Sequence, residues 1–148
     1  MLIRRAGVAD AATVAGFVDS LLVELSGAAS RPEERLRTAT RLLAEDDRVF
    51  GFLATLEAAP VGVILVAESA AIYAGGSFGT ITELYVTPAH RSGGVARQLV
   101  GAALALGRGR GWGRLEVGAP RQPAWERSVR FYLREGFTEV GPRLRCML

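Results

Sequence analysis

The chain of 148 residues contains no lysine and no asparagine, and all 18 of its basic residues are arginine. Without lysine there is no Schiff-base nucleophile and no phosphate loop of the Gly-Lys-Ser/Thr kind; without asparagine there is no catalytic carboxamide of that type. A GC-rich coding bias would exchange lysine for arginine wholesale, so basicity alone says little about function. Cys146 is the single cysteine, which excludes an internal disulfide framework and a multi-cysteine metal site. His90 is the single histidine, which leaves too few soft ligands for zinc and one candidate for any Ser-His-Asp triad. No bound metal is expected. No apolar run approaches the ~18 residues of a membrane span. Asp10 and Asp19 interrupt the apolar stretch behind Arg4 and Arg5, so a cytoplasmic protein with a retained N-terminus is expected.

What is present suits one globular domain over residues 1–148, with 49% apolar and 22% charged residues. Charge is unevenly placed. Residues 1–75 carry seven arginines against ten acids, a net −3, and residues 76–148 carry eleven against five, a net +6. A basic half suggests an anionic partner, either nucleic acid or a phosphorylated small molecule. Solvated helix faces account for most of the arginines taken singly.

Periodicity orders the chain. Leu2–Arg5 reads as a short strand. Asp10 can cap a helix running to about Leu25, with Val14, Phe17, Val18, Leu21, Leu22 and Leu25 at helical spacing and Gly27 as its stop. Ser30 can cap a second helix with Pro32 in its first turn and Glu33 completing a capping box. Arg48–Leu56 and the apolar run Val61–Ala67 read as strands joined by a turn at Ala58–Ala59–Pro60. Ser69–Thr80 is small and Gly-rich and reads as a loop. Ile81–Val86 is a further strand. A helix from Ser92 to about Arg108, a strand Trp112–Val117 and a helix Ala124–Glu135 ended by Gly136 follow. Thr138–Val140 and Leu144–Met147 read as closing strands that pack Cys146 inside. The whole is one α/β sheet of mixed strand direction.

The strand 81–86 passes through a short turn into a helix, with Arg91-Ser92-Gly93-Gly94-Val95-Ala96 at the junction. A helix start offers unpaired N–H groups and the positive dipole end, which suit phosphate. Gly93, Gly94 and the small Ala96 leave those amides accessible, and Arg91 adds a cation. An ordinary turn before a helix is the plain alternative. The dinucleotide fingerprint G-x-G-x-x-G does not fit the spacing.

Arg91-x-x-Gly94-x-Ala96, behind the strand Glu83-Leu84-Tyr85-Val86 and Thr87-Pro88, resembles the acyl-CoA signature of the GNAT N-acetyltransferase superfamily. Ser128-Val129-Arg130-Phe131-Tyr132-Leu133-Arg134-Glu135-Gly136-Phe137 resembles that family's late helix, which ends in Phe-Tyr-x-x-x-Gly-Phe. The resemblance covers essentially the whole chain. It implies a mixed, mostly antiparallel sheet, splayed between two central strands and flanked by about four helices. It implies acetyl-CoA as co-substrate, its pantetheine arm on the backbone of Leu84, Tyr85 and Val86 and its pyrophosphate on the amides of Arg91, Ser92, Gly93, Gly94, Val95 and Ala96. It also implies an amine acceptor, small molecule or peptide, and at family level a homodimer.

Acyl transfer to an amine poses two proton problems. An alkylammonium of pKa ~10.4 must be deprotonated, at roughly 4–5 kcal/mol at pH 7, and a thiolate of pKa ~8.5 gains by protonation. Tyr132 matches the family's usual general acid, and core packing with Val129 and Leu133 is its structural alternative. Glu83 is the candidate base if burial raises its pKa; binding the substrate ammonium or an arginine is its other role. Glu116 is the reserve. Trp125 and Ser128 stand where relatives often carry asparagine and alanine. His90 reads as a turn residue. Glu24, Glu33, Glu34, Asp46 and Asp47 suit a cationic acceptor such as an antibiotic amine, a polyamine or a peptide N-terminus, or are simply solvated. A non-catalytic acyl-CoA-binding regulatory module is the second reading. A nucleic-acid binder, resting on the sequence pI of 9.7 without an aromatic platform, ranks last. No nucleic-acid or membrane partner is expected.

Overall fold

The computed structural model describes residues 1–148. Five strands, β1 (Leu2–Ala6), β2 (Val49–Leu56), β3 (Ala59–Ala71), β4 (Gly76–Val86) and β5 (Leu115–Val117), form one sheet in sequence order. Four helices accompany them: α1 (Ala11–Ser26), α2 (Pro32–Leu43), α3 (Val95–Arg110) and α4 (Glu126–Arg134). The pairs from β1 to β4 are antiparallel, and β4–β5 is parallel. This is the expected α/β architecture.

The apolar run of β3 lacks strict alternation because both faces of the sheet are covered. On one face Ile64 and Val66 pack with Phe50, Ala54, Ile81, Val86 and the α3 residues Val95, Leu99, Val100 and Ala103. On the other, Val63 and Leu65 pack with Leu53, Tyr85, Leu43 of α2 and Ala11 and Val14 of α1. The aromatic residues of α4, Phe131 and Tyr132, with Phe137 behind them, join the α3 face.

Several expectations are corrected. The β2–β3 turn is Glu57–Ala58, both with positive φ (48° and 65°), and Pro60 already lies in β3 opposite Thr55. Residues 69–80 are not a loop: β3 and β4 run on in register to Ala71↔Gly76, closed by a single 3-10 turn at Ile72–Ala74. Ser30 does not cap α2. Its hydroxyl donates to Asp19 Oδ2 (2.5 Å) and the Arg31 amide donates to Asp19 Oδ1 (2.8 Å), so the α1–α2 turn is tied to α1 instead. β5 starts at Leu115 rather than Trp112, whose amide is turned back to Gly107 O at the end of α3; the Gly113 amide already donates to Ser77 O of β4. The closing strands are absent. β5 offers a three-residue edge, Arg143 lies against Gly118, and Val140, Leu144, Cys146 and Met147 are exposed rather than packed. No helix is long and apolar enough to cross a membrane.

Candidate active site

The parallel pairing of β4 with β5 stops at Ile81↔Val117. Beyond it β4 runs on for five residues with only β3 beside it, so the two strands part and a cleft of about 660 Å³ opens. The β4 residues Ile81–Val86, the end of β5, the β4–α3 loop, α4 and the last turns of α1 line it. Beyond Ile81 the backbone edge of β4 has no strand beside it toward the cleft, so Leu84 keeps an open edge of the kind a β-like ligand contact requires. Val86 O accepts from Arg91 Nε (2.9 Å).

A β-bulge decides which side chains face which way. Leu65 pairs with Glu83 and Val66 with Ile81, which leaves Thr82 as the extra residue. Strict alternation would put Ile81, Glu83 and Tyr85 on one face. With the bulge, Ile81 and Val86 pack toward α3, while Tyr85 packs toward α1. Glu83 lines the cleft, and burial raises its carboxyl above the usual glutamate range; the Thr82 hydroxyl, which donates to Glu83 Oε2, opposes that shift. No cation pairs with it.

At the β4–α3 junction Ser92 and Gly94 both take positive φ, 66° and 82°. Gly93 stands between them, and this alternation turns successive N–H groups to one side, as in an anion-binding nest. The amides of residues 92–97 donate to no protein acceptor, and α3 has no side-chain cap. Ser92, Gly94, Ala96 and Arg97 line the cleft, whereas Gly93 does not and Val95 is buried in the α3 core. Unpaired donors at this mouth, with the helix dipole behind them, fit a pyrophosphate. Arg127 reaches across from α4 and donates to Ser92 Oγ (2.7 Å).

Arg91 does not stand free at that cradle. Its guanidinium pairs bidentately with Glu24 of α1 (2.8 and 2.7 Å), its Nε donates to Val86 O (2.9 Å), and it lies 5.5 Å over the Tyr85 ring. It joins α1 to the end of β4. Sequence reasoning missed this, since nothing in a single sequence links residues 24 and 91.

Tyr132 lines the cleft from α4 with its ring edge-on to Phe131 and Phe137, at 5.2 and 5.4 Å. Gly136 (φ 92°) turns the chain so that the Phe137 amide reaches Tyr132 O (3.0 Å), which is why the motif carries Gly-Phe there. Burial pushes the Tyr132 phenol up to about 12. Trp125 and Ser128 also line the cleft. His90 lines it too, its Nδ1 held 2.8 Å from Thr87 Oγ1. Glu116 does not line the cleft and faces Arg114 at 3.5 Å. Glu33, Glu34, Asp46 and Asp47 stand outside it.

A splayed β4–β5 pair, a donor-rich loop opening α3 and a tyrosine from the late helix together define an acetyltransferase fold of the GNAT type. The chain belongs to the acetyltransferase (GNAT) family, whose sequence profile matches residues 16–137. Solved structures resemble it over their full lengths. A transcriptional regulator from Bacillus halodurans C-125 superposes with a TM-score of 0.84 at 20% identity, covering 99% of each chain. A ribosomal-protein-alanine N-acetyltransferase from Brucella melitensis biovar Abortus 2308 does so with 0.79 at 21% identity, covering 100% of each. An aminoglycoside acetyltransferase from an uncultured soil metagenomic sample gives 0.78 at 21% identity, covering 99% of this chain and 97% of its own. At such identities the likeness is one of fold. No curated protein matches by sequence.

Proposed function

We propose that the protein transfers the acetyl group of acetyl-CoA to a primary amine by direct attack, with both substrates bound in the β4–β5 cleft. The observation that carries this is the row of unpaired amides at residues 92–97 beside the stretch of β4 that β5 leaves uncovered. The amides hold the pyrophosphate, and the β4 edge holds the pantetheine arm. Acetyl-CoA supplies an activated acyl carbon and a thiol leaving group. Glu83, ionised, accepts a proton from the substrate ammonium directly or through water, and its raised pKa makes it a better base than an ordinary carboxylate. The amine nitrogen bonds the acyl carbon, the carbon–sulfur bond breaks, and Tyr132 gives its proton to the departing sulfur. The second proton that the nitrogen sheds as the amide forms returns through water to the Tyr132 phenolate. A phenol pushed up to about 12 remains protonated at neutral pH, the form that donation needs.

The test is thiol release from acetyl-CoA across a panel of amines. Tyr132→Phe is expected to lower kcat by about 10²–10³-fold while coenzyme A binding by calorimetry stays unchanged. Unaltered turnover at every pH would remove Tyr132 from the mechanism. Coenzyme A binding without turnover of any amine would favour a non-catalytic acyl-CoA module on this fold.

A further inference from the structure

We infer that the acceptor is a monoamine whose neighbouring substituents are uncharged and apolar, and that polycationic amines are disfavoured. This rests on the acetyl-transfer reading above and concerns the acceptor end of the same cleft.

Three carboxylates line the cleft: Glu24, Glu83 and Glu135. Glu24 is closed off by both guanidinium nitrogens of Arg91, and Glu135 faces Arg97 at 3.8 Å. Glu83 alone has no cation partner, its recorded contact being the Thr82 hydroxyl. With the amides of residues 92–97 and the β4 edge given to the co-substrate, the α1 side is left for the acceptor. Its wall is Leu21, Leu25 and Tyr85, and the Arg91 guanidinium covers the Tyr85 ring. One ammonium is matched by Glu83. A second ammonium on the same molecule would meet aliphatic side chains or a carboxylate already neutralised, with Arg91 behind it. Desolvating that second charge without a partner is costly, whereas an apolar substituent gains by covering Leu21 and Leu25.

The acids that might have received a polycation are turned elsewhere. Glu33 and Glu34 share a separate shallow groove with Arg31 and Arg37 at the start of α2. Asp46 and Asp47 precede β2, where Arg5 and Arg110 donate to their carbonyls. Arg127, Arg134 and Arg143 line the cleft with no carboxylate partner, so that against the single unpaired carboxylate of Glu83 its unpaired side-chain charge is net positive.

The experiment compares matched acceptors at saturating acetyl-CoA: pentylamine against cadaverine, the diamine of the same length, and a short peptide amine with leucine second against the same peptide with arginine second. kcat/KM is expected to be at least about tenfold higher for the member of each pair that lacks the second cation. Equal or reversed preference overturns the inference while leaving acetyl transfer standing. Failure to acetylate any of the four, with coenzyme A still bound, overturns the acetyl-transfer reading and this inference with it. Arg91→Gln frees the Glu24 carboxylate and is expected to shift the preference toward the dications by about tenfold. An unchanged preference in that variant overturns the role given to the pair.

Discussion

Glu83 is a residue whose chemistry depends on a neighbour's misfit. The extra residue at Thr82 changes its place in the strand's alternation, and burial there raises its carboxyl pKa. A carboxyl more easily protonated in the folded state than in the unfolded chain favours folding fully below its ordinary pKa of 4.5, and that contribution is lost as pH rises through the raised value. Ionised Glu83 is therefore a burden on stability at neutral pH. Glu83→Gln, which keeps the shape and removes the charge, is expected to raise the thermal midpoint near pH 8 and to leave it unchanged near pH 4. The same variant should lose the acid limb of the kcat/KM profile along with most of the rate. Unfolding followed by circular dichroism at the two pH values checks the first claim, and a midpoint that rises equally at both would show that charge is not the cause. Periodicity places Glu83 in a strand, but it cannot show the bulge that sets its facing, because one added residue looks like ordinary imperfect alternation.

Among the elements, those with strong period and punctuation were legible: α1 to its Gly27 stop, the apolar middle of β3, α3 and its glycine-rich start, and α4 with Gly136 behind it. Elements that depend on distant partners were not. Residues 138–140 and 144–147 have strand-like composition, yet a strand exists only when a neighbour supplies a ladder, and β5 offers three residues. Conversely, the small residues 69–80 looked like loop, yet 69–71 and 76–80 are strand, paired along a long hairpin whose turn is Ile72–Ala74 and Gly75. The loop before α3 was recognised from its glycines, which do different work. Gly94 has φ 82° with open space around its Cα, so a side chain there meets backbone strain alone, about 1–2 kcal/mol. Gly93 has no positive φ, and a Cβ there would stand 3.5 Å from His90 O, an ordinary contact. Gly94→Ala is expected to lower stability by about that amount and Gly93→Ala by little, as urea titration of the two variants would read. Equal losses would mean that strain at Gly94 is not what sets the turn.

Over the whole molecule, charge is sorted by function more than by halves of the chain. The acidic first half spends Asp10 on Arg4, Asp19 on the α1–α2 turn and Glu24 on Arg91, so its excess lies outside the cleft. The basic half places Arg127, Arg134 and Arg143 along the cleft without acidic partners, beside the amides of residues 92–97. A single sequence revealed the sign of that asymmetry but not its address, because the pairing of Arg91 with Glu24 removes from the proposed phosphate cradle the arginine that the motif offers first. The surviving positive charge comes from α4 and the tail. These side chains are largely exposed, so their attraction for an anionic ligand is screened once the Debye length falls to about 3–10 Å. Coenzyme A affinity is therefore expected to weaken progressively from about 0.01 M to about 1 M salt, and Arg127→Ala with Arg143→Ala should flatten that dependence. Pantetheine, which lacks the nucleotide phosphates, should bind weakly and with little response to salt. Calorimetric titration of both ligands across the salt series is the measurement. A salt response equally steep in the double variant would place the electrostatic contribution in the loop amides and their helix dipole rather than in the arginines.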